Sequence, residues 1–398
     1  MDITIFPGKL CGEVTAIPSK SQAHRLLICA AFADAPTDLI CPATSRDMDA
    51  TAGCLNALGA SITRTKGGYH VIPVQDVPTS ATLNCHDSGS TLRFLLPVAG
   101  ALGADAVFHL EGRLPSRPLS PLWEELERMG CTLTRPAPDT IRTTGQLKAG
   151  DFTIDGGVSS QFITGLLFAT ALIPGESRIH LTGKVESRPY IDMTRRAMGL
   201  FGRNTEGYVV KGGSPFHSPG TVAVEGDWSN GAFFLAAKAL GNPVSVTNLA
   251  PDSPQGDRAV FDLLPALEGS PVISAADIPD LVPILAVTAA CKHGAVFTGI
   301  RRLRLKESDR VASVIAMLEA LGGKAEATED TLTVWGTGLT GGTVDAVNDH
   351  RIAMSAAIAA TVCQKPVTIL GAQCVEKSYP RFWEEYTRLG GNYEQHLR

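Results

Sequence analysis

The 398-residue chain is 44% hydrophobic and 19% charged, a balance that buries a large interior and excludes a disordered chain. Its length points to two domains or a repeat array. A net charge of −5 argues against nucleic acid as the main partner but leaves small anionic ligands open, because local charge holds those. Met1–Pro7 reads as an opening strand, not a targeting segment. No stretch reaches the roughly 20 uninterrupted apolar residues of a membrane span; the run at Ala286–Ala290 is bounded by Pro283 and by Cys291-Lys292. The nine cysteines are scattered with no CxxC pair, so neither a zinc knuckle nor a redox motif is expected, and a reducing cytosol is.

Along the chain, an apolar stretch with a small or polar head recurs six times: Ser19–Ala33, Ser88–Leu102, Ser159–Leu172, Trp228–Leu240, Ile278–Ala290 and Asn348–Val362. Each is apolar nearly all round and predicts a buried helix. A second, amphipathic helix follows each one and ends in a bulky residue and Gly, at Gly59, Gly130, Gly202, Gly269, Gly322 and Gly390. Short β-rich runs such as Thr331–Trp335 come next. Six such units imply six small α/β subdomains, grouped three and three with a break near Val224–Asp227. Helix N-termini carry unsatisfied N–H groups and partial positive charge, so several of them aimed at one place would hold anions. Ordinary N-capping is the plainer reading of any single head.

The first head is Pro18-Ser19-Lys20-Ser21-Gln22-Ala23-His24-Arg25. Lys20, Ser21 and Arg25 start a buried helix, with Arg25 one turn beyond Ser21 on the same face. Two buried cations need an anionic ligand or a structural ion pair.

This head resembles the start of the 5-enolpyruvylshikimate-3-phosphate synthase family, and further matching motifs follow in order. They are Asp87–Arg93, Arg117-Pro118-Leu119, Val158–Phe162, Ser187–Tyr190, Ile278-Pro279-Asp280, Leu305–Arg310, Asn348–Arg351 and Lys377–Pro380. The resemblance spans nearly the whole chain. It implies an α/β fold, a two-domain inside-out α/β barrel with three βαβαββ subdomains per domain. The domains would be residues 15–223, and 224–398 joined by strand 1–14, with the active site in the cleft between them. It implies transfer of the enolpyruvyl group of phosphoenolpyruvate to the 5-hydroxyl of shikimate 3-phosphate, in aromatic amino acid biosynthesis.

The resemblance assigns shikimate 3-phosphate to Lys20, Ser21, Arg25, Ser159, Ser160, Gln161, Ser187, Asp280 and Lys306. It assigns phosphoenolpyruvate to Lys20, Gly89, Arg117, Gln161, Arg310, Arg351 and Lys377. Serine hydroxyls at a helix start suit a phosphate, although a plain N-cap also explains Ser159-Ser160. Arginine forks match carboxylate and phosphate oxygens. At Gly89 an added methyl should crowd the ligand. Asp280 is implied as proton acceptor and Glu307 as donor, with Lys20 a second candidate and His350 a helper. An i,i+3 salt bridge to Arg310 competes for Glu307. No metal or organic cofactor is expected, and a cytosolic monomer without nucleic-acid or membrane partners is.

Asp87, Phe94, Arg302 and Trp228-Ser229-Asn230 depart from the family pattern, which bears on affinity and on response to glyphosate, an occupant of the phosphoenolpyruvate site in many members. The sister UDP-N-acetylglucosamine enolpyruvyl transferase is the enzymatic alternative, although Arg113–Pro121 lacks the loop cysteine of that enzyme. A non-catalytic anion-binding paralogue is the alternative of another class.

Overall fold

The apolar stretches form helices where their polar heads can cap them. The computed structural model describes residues 1–396, and the chain divides into one unit of Pro18–Val224 and another of Met1–Ile17 with Glu225–Arg398. Residues 397–398, the end of the 224–398 range expected above, lie outside the described residues.

The Pro18–Val224 unit carries α1 (Lys20–Ala31), α2 (Arg46–Ala57), α3 (Gly89–Leu102), α4 (Leu122–Arg128), α5 (Ser160–Leu172) and α6 (Arg188–Leu200). α1, α3 and α5 are buried along nearly their whole length, and α2, α4 and α6 bury one face. The side chains of Ser19, Ser88 and Ser159 cap the three buried helices by accepting from the N–H groups of Gln22, Thr91 and Gln161. α5 lies close on α3 because Gly165 has no side chain; a methyl there would overlap the Arg93 carbonyl.

Three half-exposed sheets flank this helical interior. Their strand orders are Thr221–Ala223, Thr37–Ile40, Gly68–Ile72, Ser61–Thr65; then Ser80–His86, Asp105–Leu110, Thr140–Gly145, Cys131–Ala137; then Asp151–Asp155, Gly175–Thr182, Val209–Gly212. In each, the first two strands are parallel, as a helical crossover requires, and the next is antiparallel.

The other unit repeats the pattern with α7 (Trp228–Ala239), α8 (Val260–Ala266), α9 (Val282–Ala290), α10 (Arg310–Ala320), α11 (His350–Ala360) and α12 (Phe382–Arg388). α7, α9 and α11 form its apolar interior. The opening strand, Asp2–Phe6, completes the last sheet: Ile3 pairs antiparallel with both Ile369 and Gln395. Gly12–Thr15, which leads into α1, pairs in parallel with Val244–Thr247. The fold is the expected α/β class, with buried helices inside and small sheets outside. Among the described residues no helix is long and apolar enough to cross a membrane.

Two expectations need correction. The fifth buried helix starts at Val282, not Ile278, because Pro279 favours extended backbone before it while Pro283 suits the first helical turn. Asp280 therefore sits in the turn ahead of α9. Gly269 is not a left-handed helix cap, unlike the other five glycines. α8 is short, contains Pro265, and ends at Ala266, too early for Gly269 to occupy that position.

Candidate functional site

Within the Pro18–Val224 unit, the starts of α1, α3 and α5 carry the expected residues. Lys20, in the first turn of α1, pairs with Asp47 in the first turn of α2 at 2.9 Å, and both side chains are largely buried. Ser160 is buried at the start of α5. Gln161 joins α5 to α3: its Oε1 accepts from Arg93 Nη1 at 2.9 Å and its Nε2 donates to Ser90 Oγ at 3.0 Å. Arg93 also donates to the Pro118 carbonyl at 3.1 Å. Arg117 lies over Gly89, where a built Cβ would fall 2.6 Å from Arg117 Nη1 and 2.9 Å from Arg93 Nη1. The group an added methyl meets directly is therefore a guanidinium. Ser187 is buried in a left-handed conformation at the head of α6.

Arg25 lies one turn into α1. It is buried, with Nη1 on the Ser21 carbonyl at 2.6 Å, Nε on Thr194 Oγ1 at 2.8 Å and Nη2 on the Tyr190 carbonyl at 2.9 Å. Its guanidinium stacks 5.0 Å from the Phe94 ring centroid, so the Phe94 departure supplies a cation–π partner. Burial lowers its pKa to about 10. These contacts tie α1 to α6.

The other unit gathers Asp280, Lys306, Glu307, Arg310 and Arg351 into one cluster. Arg310, the first residue of α10, reaches three carboxylates: Asp280 Oδ1 through Nη1 at 2.6 Å, Glu307 Oε2 through Nη2 at 2.6 Å and Asp349 Oδ2 through Nε at 2.9 Å. The i,i+3 bridge anticipated for Glu307 is one arm of this network. Arg351 Nη2 meets Asp280 Oδ2 at 3.0 Å, and Lys306 Nζ lies 3.8 Å from Asp280 Oδ1. Burial alone would raise the Asp280 pKa, but the Arg351, Lys306 and Arg310 charges outweigh it and hold the carboxyl well below its usual range. Burial pulls Lys306 down to about 8. Lys377 Nζ donates to the Asn348 carbonyl at 2.8 Å, just before the head of α11 where His350 is buried.

Four participants escaped the sequence reading. Asp349 caps α11 and holds Arg310; it lies inside a quoted motif, where its cap position was the available signal. Arg93 also lies in a quoted motif, one turn from Gly89. Asp47 follows the cap Ser45 of α2. Asp257 is buried, accepts from Ser229 Oγ through Oδ2 and leaves Oδ1 without a hydrogen bond. Burial, then the Asp280 charge, raises its pKa to about 7. Nothing local to Asp257 marks it.

A sequence profile of EPSP synthase (3-phosphoshikimate 1-carboxyvinyltransferase) matches residues 6–270 and 263–386. The chain belongs to the EPSP synthase family. It is 37% identical over 429 residues to the 3-phosphoshikimate 1-carboxyvinyltransferase of Clostridium beijerinckii, covering 99% of this chain and 98% of that one. The protein of the same name from Clostridium kluyveri is 37% identical over 421 residues, with 99% and 98% covered. Among solved structures, the EPSP synthase of Acinetobacter baumannii superimposes with a TM-score of 0.80 at 25% identity, covering 99% of this chain and 100% of that one. The fold match to the solved structure runs along nearly the whole chain.

Proposed function

We propose that the protein transfers the enolpyruvyl group of phosphoenolpyruvate to the 5-hydroxyl of shikimate 3-phosphate and releases phosphate, a step of aromatic amino acid biosynthesis. The observation that carries this reading, beside family membership, is Asp280: a carboxylate kept ionised by Arg310, Arg351 and Lys306, next to a second carboxylate, Glu307. Addition followed by elimination needs one group to take the hydroxyl proton and one to deliver a proton to carbon. Asp280 is the acceptor. Glu307 is the donor to C3, with Lys20 available for proton traffic and His350 assisting.

Lys20, Ser21, Arg25, Ser159, Ser160, Gln161, Ser187, Asp280 and Lys306 hold shikimate 3-phosphate. Lys20, Arg117, Gln161, Arg310, Arg351 and Lys377 hold phosphoenolpyruvate, with Gly89 leaving room for Arg117. The protein acts as a cytosolic monomer without nucleic acid or membrane. The experiment is phosphate release from phosphoenolpyruvate with shikimate 3-phosphate or with UDP-N-acetylglucosamine as acceptor. Release only with the UDP-sugar would overturn the reading, and ligand binding without release would point to a non-catalytic paralogue.

Two tests address individual positions. Gly89→Ala should push the Arg117 guanidinium aside and raise the KM for phosphoenolpyruvate about tenfold, the scale of one charge-assisted hydrogen bond. Steady-state kinetics read this directly, and an unchanged KM would remove Arg117 from the ligand. Lys306, at about 8, loses its charge as pH rises through that value. Calorimetric affinity for shikimate 3-phosphate should fall from about pH 7 to about 9.5, and this component should vanish in Lys306→Met. Stability moves the other way: between about 8 and the ordinary lysine value the unfolded chain binds more protons, so the penalty of burying Lys306 eases as pH rises.

A further inference from the structure

The three carboxylates on Arg310 are not equivalent. Asp349 is buried and held on both oxygens: Oδ2 accepts from Arg310 Nε and Ser308 Oγ, each at 2.9 Å, and Oδ1 accepts from the Arg351 backbone N–H at 3.0 Å and, at a longer 3.5 Å, from Arg310 Nη2. Asp280 and Glu307 take Nη1 and Nη2, and their side chains keep 17% and 26% exposure. The Nε edge is therefore tied to the head of α11, while the outer fork holds the more accessible pair. Resting on the function proposed above, we propose that Asp349 is a positioning residue that anchors Arg310 through Nε while its Nη1–Nη2 fork exchanges Asp280 and Glu307 for the carboxylate of phosphoenolpyruvate.

A guanidinium fork fits one carboxylate bidentately better than it fits two separate carboxylates. The exchange also separates the roles of the two displaced groups. Asp280 keeps Arg351 and Lys306 and stays ionised, ready to accept the hydroxyl proton. Glu307 gives up its Arg310 ion pair and takes one proton from solvent. The charged groups that act with it are Asp280 ahead of α9, Lys306 before α10 and Arg310 on α10, and Arg351, Arg302 and Asp349 act on those three in turn. In the addition, Glu307 gives its proton to C3 and Asp280 takes that of the hydroxyl. In the elimination, C3 returns a proton to Glu307, phosphate leaves, and the Asp280 proton departs with it. Two neighbouring carboxyls thereby acquire opposite tasks from their surroundings.

Infrared difference spectroscopy tests this on the protein complexed with a 5-deoxy analogue of shikimate 3-phosphate, which has no hydroxyl to react. Adding phosphoenolpyruvate, with binding followed by calorimetry, should produce a protonated-carboxyl C=O band that Glu307→Gln abolishes and Asp280→Asn retains. Asp349→Asn keeps a good helix cap but drops the charge. It should lose the band and raise the KM for phosphoenolpyruvate about tenfold, with that for shikimate 3-phosphate within about twofold. Ser308→Ala should shift both readouts less, in the same direction. Phosphoenolpyruvate bound without the band, or a band surviving Glu307→Gln, overturns the exchange. Failure of the native substrates to release phosphate would instead overturn the functional reading beneath it.

Discussion

Replacing Asp280 with Asn is expected to lower kcat roughly 100- to 10,000-fold, the usual range for removing a positioned proton acceptor. The substitution is isosteric, so the amide oxygen can still accept from Arg351 or Arg310 where the carboxylate did. It removes the basic site and one negative charge from a region proposed to bind two anions. Affinity for shikimate 3-phosphate should therefore persist or rise while turnover falls. Steady-state kinetics with calorimetry on the same preparation separates the two effects. Near-normal kcat would remove Asp280 from its role, and lost affinity with normal kcat would make it a binding group only.

Arg310→Met should be the most destabilising change in the cluster, by about 3–5 kcal/mol, because it leaves Asp280, Glu307 and Asp349 without the cation they share. For a unit of this size that corresponds to a fall in Tm of roughly 6–20 °C by calorimetry. The pH dependence carries the sign. The Asp280 pKa is depressed in the folded protein, so its stabilising contribution is present above the ordinary carboxylate pKa and is lost as pH falls through the folded value. The gap between wild type and Arg310→Met should be widest near neutrality and narrow below about pH 4. Arg310→Lys should recover part of the loss, since an ammonium supplies charge but cannot fork to three partners. A Tm within a few degrees of wild type for Arg310→Met would mean that the carboxylates find other compensation.

The helices were legible because their determinants are local. A run such as Ser159–Leu172 carries its cap, its apolar surround and its end within a few residues, and α5 spans Ser160–Leu172. The error at α9 had the same origin: Ile278 continues the apolar run, and only the prolines mark the true start. The pairings that shape the candidate site are a different matter. Arg25 has one local partner, the Ser21 carbonyl one turn before it. Its partner Thr194 lies 169 positions away, on a helix that only the tertiary fold brings to α1. Lys20 and Asp47 are 27 positions apart, and Arg310 and Asp349 are 39 apart. The one partner of Arg310 visible in sequence was Glu307, because i,i+3 spacing on a helix-like segment is itself local. Motif order named Asp280, Glu307, Arg310 and Arg351; the side-chain network shows which of them pair.

The most direct test of the account runs the reaction in D2O with shikimate 3-phosphate and phosphoenolpyruvate and examines the product by mass spectrometry. Addition–elimination passes through a methyl group at C3, so the account predicts deuterium in the vinyl group of the product, with phosphate released in equal amount. A product formed without deuterium would contradict proton delivery to carbon, and no product at all would contradict the function.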